Sequence, residues 1–279
     1  MTQPTLWNQI LIWPIMNVLV AFYRMFESLH VPWPLGWAVI MLTIAIRFLL
    51  YPLMQTQMKS AKKISSLKPH MDRLAEQHKG DKQALQKAQL ALYQEHGVNP
   101  AAGCLPLLVQ MPVLIALYNV FYQVLNAGNL ATVVDNINQI VYLPVLRLQS
   151  LDLNFFSVSL ALKPSEWQKN GVWLLAVPLI TGLLQWYQTK LMIPPAAGAT
   201  TPPPQTTGRK QLKSGVTDGK SAEKSQPDNA ADMQRQMAMI TPVMFGLFAF
   251  QFPLGLALYW NVFGLFGIMQ QIKINAQAH

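Results

Sequence analysis

A single cation sits deep in an apolar stretch, with polar side chains on its own helical face. Arg47 lies twelve residues inside LGWAVIMLTIAIRFLLYPLM, residues 35–54, a run long enough to cross a hydrocarbon core of about 30 Å. A charge at such depth costs about 2.5–3.5 kcal/mol on insertion scales, and more in simulations. Thr43 at i−4 and Tyr51 at i+4 share its face. A buried cation with polar flankers on one stripe points to a wet cavity rather than to lipid. The competing reading is snorkelling, because Arg47 lies about 10 Å from the Met54 end at about 1.5 Å per residue.

Other apolar segments add polar groups, Gln110 at a depth comparable to Arg47, and Tyr259 with Asn261 nearer the outer side. Thr181, Gln185 and Gln188 fall at i, i+4 and i+7, and Gln110 lies close to the start of its segment. Tyr259 and Asn261 supply polar groups in the last one. Any one of these is explained by hydrogen bonding between helices. Taken with Arg47, the set describes a polar groove.

Catalytic chemistry is not expected. The chain has no phosphate loop, no G-x-S-x-G, no H-E-x-x-H and no paired carboxylates within a span. All twelve acids lie outside the apolar segments, and His30, His70, His78, His96 and His279 are scattered over loops. The lone Cys104 excludes an intramolecular disulfide and a cysteine-based zinc site. The expectation is therefore no enzyme, no metal and no cofactor.

The elements that must position these residues are helices in a bilayer. The 279 residues are 52% hydrophobic and 12% charged, against about 25% charged in soluble domains. The net charge of +9 does not imply nucleic acid, because the cations fall in blocks between apolar spans. The expected fold is an all-α polytopic membrane protein, with five transmembrane helices around a hydrophilic groove and a cytoplasmic helical hairpin. The spans are 34–57, 103–126, 171–191, 235–251 and 254–273, the last two separated by the Phe252-Pro253 turn. Residues 1–33, interrupted by Asn8, Gln9, Pro14, Asn17 and Arg24, read as an external amphipathic helix lying in the interface. No basic region precedes their apolar residues, so they do not read as a signal peptide.

Lys and Arg concentrate in 59–99 and 190–235, whereas 127–170 holds only Arg147, Lys163 and Lys169. The rich loops therefore face the cytoplasm, with the N-terminus outside and the C-terminus, 274–279, inside. Segment 58–100 carries Ile64, Leu67, Met71 and Leu74, a break at Gly80-Asp81, then Leu85, Ala88 and Leu92. That pattern is a helical hairpin whose second arm ends at Gly97. Segment 127–170 is expected to be an external loop. Segment 192–234, rich in Pro, Thr and Lys, has no periodic apolar face and is expected to be disordered. Met54, Met58, Met71, Met192, Met233, Met237, Met239 and Met269 gather near the inner ends of spans. Such methionines suit varied apolar partners.

Three stretches resemble one family, the YidC/Oxa1/Alb3 membrane protein insertases. They are TIAIRFLLYPLMQTQMKSAKKISSLKP, ALYQEHGVNPAAGCLPLLVQMPVLIALY and ITPVMFGLFAFQFPLGLALYWNVFGLFGIMQQ. The resemblance implies five spans enclosing a groove open to cytoplasm and lipid. It matches the groove arginine to Arg47, with Thr43 one turn before it, and the second-span glutamine to Gln110. Gln188 corresponds to a third-span groove residue, and Tyr259 with Trp260 to a substrate-contacting aromatic pair. Newly made membrane proteins and the lipid bilayer are the implied partners, with a functional monomer. A Sec-type translocon and the ribosome are further partners, the ribosome weakly because the tail after Lys273 is short. The lack of a transit peptide favours a bacterial plasma membrane over a thylakoid.

The implied mechanism is nucleotide-free. A hydrated groove thins the barrier, Arg47 transiently holds an acidic tail, and the apolar segment slides past the third and fifth spans into lipid. The rival is a small-solute transporter or channel, which also places charge and polar stripes in the membrane. No intramembrane acid accompanies Arg47, and the spans show no paired repeat.

Overall fold

The structure is a computed structural model describing residues 2–78, 80–98, 105–126, 129–192 and 230–276. Cys104, nearly all of the expected disordered loop 192–234 and residues 277–279 lie outside the described residues. So do the side chains of Gln110, Met58, Met192, Met233, Met237 and Met239.

The chain is mostly helical. A wide π-type turn, Asn8–Ile12, runs directly into α1, Trp13–Ser28. Pro14 follows the π-type turn inside this continuous helix, and its missing N–H leaves a gap in the backbone ladder where the wide turn passes into α-helix. Among the described residues the continuous helix Asn8–Ser28 is the one long and apolar enough to cross a membrane, by length and composition. Pro34–Leu49, Met111–Gln123 and Ile240–Gln251 are shorter apolar helices.

Pro34 opens α2, Pro34–Leu49, and α3, Tyr51–Ser66, follows after one residue. The break at Leu50 (φ −89°, ψ 1°) has a local cause. Pro52 offers no N–H to the Phe48 carbonyl, and its ring crowds that oxygen. Two arms follow, α4 (Lys68–Gln77) and α5 (Lys82–Glu95). The chain reverses at Gly80 (φ 96°). Asp81 then caps α5 by accepting from the backbone N–H groups of Gln83 (3.0 Å) and Ala84 (2.9 Å). The arms pack through buried Leu67, Met71 and Leu85.

Helix α6 (Leu105–Asn126) carries Pro112 and buries Val113, Ala116, Leu117, Val120 and Phe121 along one face. The segment after it is more ordered than a loop. It holds α7 (Leu130–Asn138), a two-stranded antiparallel hairpin of β1 (Asn154–Phe155) and β2 (Val158–Ser159), and a single turn, α8 (Trp167–Asn170). Three long helices complete the chain: α9 (Ala176–Met192), α10 (Ala230–Gln251) and α11 (Leu254–Ala276).

Helices α9 and α10 meet antiparallel at two glycines. A Cβ on Gly182 would lie 3.5 Å from the Pro242 carbonyl, and one on Gly246 would lie 3.4 Å from the Pro178 carbonyl. Such small residues let backbones approach closely where no hydrophobic effect draws helices together.

Most of the apolar core gathers at the Pro34 end of α2. There α1, α2, α6, α7 and the start of α11 bury Met16, Val39, Leu42, Phe121, Val133, Leu256 and Ala257. Buried polar groups stitch α1 to the segment beyond α6. Asn17 Nδ2 donates to the Ile140 carbonyl (2.9 Å), and its Oδ1 accepts from Tyr142 N–H (2.7 Å). The Tyr23 hydroxyl accepts from Asp152 N–H (2.9 Å). Beyond Leu42 on α2 the buried side chains are Thr43 and Arg47, and beyond Trp260 on α11 the buried Gln270 and Gln271 stand among Ile268 and Ile274.

Candidate functional site

The polar side chains meet where α2, α9 and α11 pack together. Arg47, in the last turn of α2, is 4% exposed. Its Nη2 donates to the Phe263 carbonyl on α11. Its guanidinium carbon lies 3.5 Å from the centroid of the Phe263 ring. The Nε, buried as well, has no hydrogen-bond partner among the described residues.

Magnitudes decide what this arrangement means. A hydrogen bond from a charged group contributes about 1.5–3 kcal/mol, and a desolvated cation–π contact about 2 kcal/mol. Burying the ion costs several kcal/mol. The one ion pair among the described residues is Arg24–Glu27, at the end of α1, so no carboxylate among them offsets that cost at Arg47. Buried ions are often replaced by apolar side chains without loss of stability. The two contacts offset much of the burial cost, so the arginine is tolerated here, but stability alone does not require a charge at this position.

Helix α11 makes room for the cluster with two glycines one turn apart. A Cβ on Gly267 would lie 2.5 Å from Gln188 Nε2 and 2.8 Å from Arg47 Nη2. One on Gly264 would lie 3.5 Å from Gln185 Nε2. The amides of α9 and the guanidinium of α2 thus rest on a bare strip of α11. Thr43 and Thr181, both fully buried, line the same helices. Their hydroxyls donate one turn back, to the Val39 (2.7 Å) and Val177 (2.9 Å) carbonyls. One turn on, Gln270 and Gln271 are buried with Gln270 Nε2 and Gln271 Oε1 lacking partners among the described residues.

Of the residues singled out from sequence, Arg47 and Gln188 come together at Gly267. Thr43 lies one turn above Arg47. Tyr259, fully buried, reaches the cluster through Phe263, whose ring centroid is 5.9 Å from its own. Trp260 faces elsewhere. Its indole packs against Phe245 (5.5 Å), Phe252 (5.9 Å) and Phe248 (6.3 Å), and it is 3% exposed. Gln110 falls on α6, but its side chain lies outside the described residues. Sequence reasoning missed Phe263, Gly264 and Gly267; the signal was the G-x-x-G spacing inside an apolar span.

Outside this cluster, α9 and α10 turn Leu179, Leu183, Val243 and Leu247 outward, all exposed. An apolar sheath of this kind belongs in lipid. The class defined is a helical integral membrane protein with a polar, positively charged junction between helices. The family follows from comparison: residues 25–279 match the family described as 60Kd inner membrane protein, and the chain belongs to that family, the YidC/Oxa1/Alb3 proteins.

Named relatives agree. Membrane protein insertase YidC of Helicobacter pylori is 30% identical over 251 residues, which cover 86% of this chain and 32% of that protein. Membrane protein insertase MisCA of Bacillus subtilis is 28% identical over 275 residues, covering 97% of this chain and 80% of the relative. The inner membrane ALBINO3-like protein 1 of Chlamydomonas reinhardtii is 31% identical over 244 residues, 88% of this chain and 44% of that one. The chain thus spans about a third of the Helicobacter relative and four fifths of the Bacillus one. A crystal structure described as an active YidC insertase with the first transmembrane domain resolved superposes with a TM-score of 0.51. It is 21% identical and covers 99% of this chain and 47% of that one. That likeness is one of fold.

Proposed function

We propose that this protein is a membrane protein insertase. The observation that carries the reading is the buried Arg47 guanidinium, which has no carboxylate partner and a spare Nε donor among the described residues. A substrate's acidic tail would supply the missing partner. A carboxylate binds a guanidinium through two parallel hydrogen bonds, about twice as strong as bonds to neutral groups. It would therefore displace the Phe263 carbonyl and take up Nε. Gln188 and Gln185 solvate the polar tail as it enters and Thr43 lends a hydroxyl oxygen; for Gln110 a groove role rests on the family resemblance alone. Tyr259 positions Arg47 through Phe263, and Trp260 braces α10 against α11.

In this reading five helices span the membrane: α2 with the start of α3, then α6, α9, α10 and α11. The α4–α5 hairpin and the C-terminus are cytoplasmic. The N-terminal helix stays in the outer interface, because Asn17 and Tyr23 are committed to the segment that follows α6. Hydrophobic transfer of the substrate's apolar segment drives the reaction, helped by the membrane potential acting on charge. Substrates are newly made membrane proteins with short polar tails. A Sec-type translocon is a partner for larger ones, and the ribosome a weak one.

Proteoliposomes holding only this protein test the reading. A single-spanning substrate should acquire a protease-protected tail while the vesicles remain tight to ions. A steady ion or solute leak without protection would favour a transporter.

A further inference from the structure

Trp33 and Phe156 both occupy left-handed backbone, and their rings touch. Trp33 (φ 60°) precedes Pro34 at the start of α2, and Phe156 (φ 48°) leads the β1–β2 turn, followed by Ser157 (φ 65°). Their ring centroids lie 4.6 Å apart. A two-residue turn with both central residues at positive φ ordinarily takes Asn-Gly, and a residue before proline is ordinarily extended. A bulky side chain at either place is strained.

The turn is fixed to the helices on two sides. Phe155 lies edge-on to Trp37 (5.6 Å), and its ring fills the space a Cβ on Gly36 would need. On the other side, the Leu160 and Leu162 carbonyls accept from Gly255 (2.9 Å) and Leu254 (2.8 Å) N–H groups at the start of α11. Yet the ring that carries the strained backbone is not buried: Phe156 is 60% exposed.

We propose that the β1–β2 turn is a bilayer-interface anchor, with Phe156 entering the boundary between headgroups and acyl chains at the Pro34 end of the bundle. Three relations select lipid as the occupant. The turn is locked to the first residues of α2 and α11, so it sits level with the ends of apolar helices. Exposed Val172 and Trp173 lead into α9 at the same end and continue into its outward-facing Leu179 and Leu183. Trp33 and Trp37 flank the start of α2, the level at which amphipathic aromatic rings partition into the interface. Trp33 and Phe155 cover one side of the Phe156 ring, and an apolar boundary covers the side left exposed.

Spin labels test this in full-length protein reconstituted into lipid nanodiscs. With Cys104→Ser as background, one label is placed at Phe156→Cys and a control at exposed Gln149→Cys. The anchor predicts an oxygen-to-nickel-chelate collision ratio several-fold higher at 156 than at 149, with the thermal midpoint unchanged. Equal ratios would overturn it. So would a large fall in thermal midpoint at Phe156→Cys, which would make the ring part of the protein core instead.

Discussion

Gln188 on α9 and Arg47 on α2 converge on one bare position of α11: both would crowd a Cβ on Gly267, at 2.5 Å and 2.8 Å. The atoms that would be crowded are the far ends of flexible side chains, so an added methyl displaces them without unfolding the helix. Alanine also favours helix over glycine by about 0.8–1.0 kcal/mol. Gly267→Ala should therefore leave the thermal midpoint equal or slightly raised while insertion falls several-fold. Thermal unfolding in detergent and an insertion assay on the same preparation check both halves.

Gly255 presents the opposite case. A Cβ there would fall within the ring of Phe121, which is itself fully buried. The ring has no open side to move into, and overpacking of this kind costs about 1–3 kcal/mol. Gly255→Ala should lower the thermal midpoint. Gly264→Ala, whose nearest neighbour is at 3.5 Å, should not.

Asn17 ties α1 to the backbone more than a hundred residues away, through the Ile140 carbonyl and the Tyr142 N–H. Asn17→Leu leaves both backbone groups without this partner, at about 1–3 kcal/mol for the buried Ile140 carbonyl and less for the part-buried Tyr142 N–H. The expected outcome is a lower thermal midpoint, with faster proteolytic cutting between residues 139 and 150 than in the wild type.

How much of this was legible in sequence depends on the range of the interaction. Arg47, Thr43 and Gln188 stand out because a polar residue within an apolar run is costly and its helical phase can be counted. The reversal at Gly80-Asp81 and the Pro52 break are equally local, although 34–57 reads as one span until Leu50 is seen to interrupt it. Gly264, Gly267 and the Phe263 carbonyl gain meaning only from which helices lie against α11. Asn17 looks like an interruption of an apolar helix, because the groups that satisfy it come from the far side of α6. Trp260 sits beside Tyr259 in sequence, but one helical step of about 100° turns it into the aromatic cluster of α10.

Charge pairing at Arg47 is the central claim, and the measurement that tests it most directly compares tails of different charge. Protease protection is followed in proteoliposomes containing wild type, Arg47→Lys or Arg47→Ala, each with an acidic-tailed and a neutral-tailed version of one substrate. The account predicts that Arg47→Ala lowers protection of the acidic tail much more than that of the neutral tail, and that Arg47→Lys restores part of the difference. Equal losses for the two tails would contradict it.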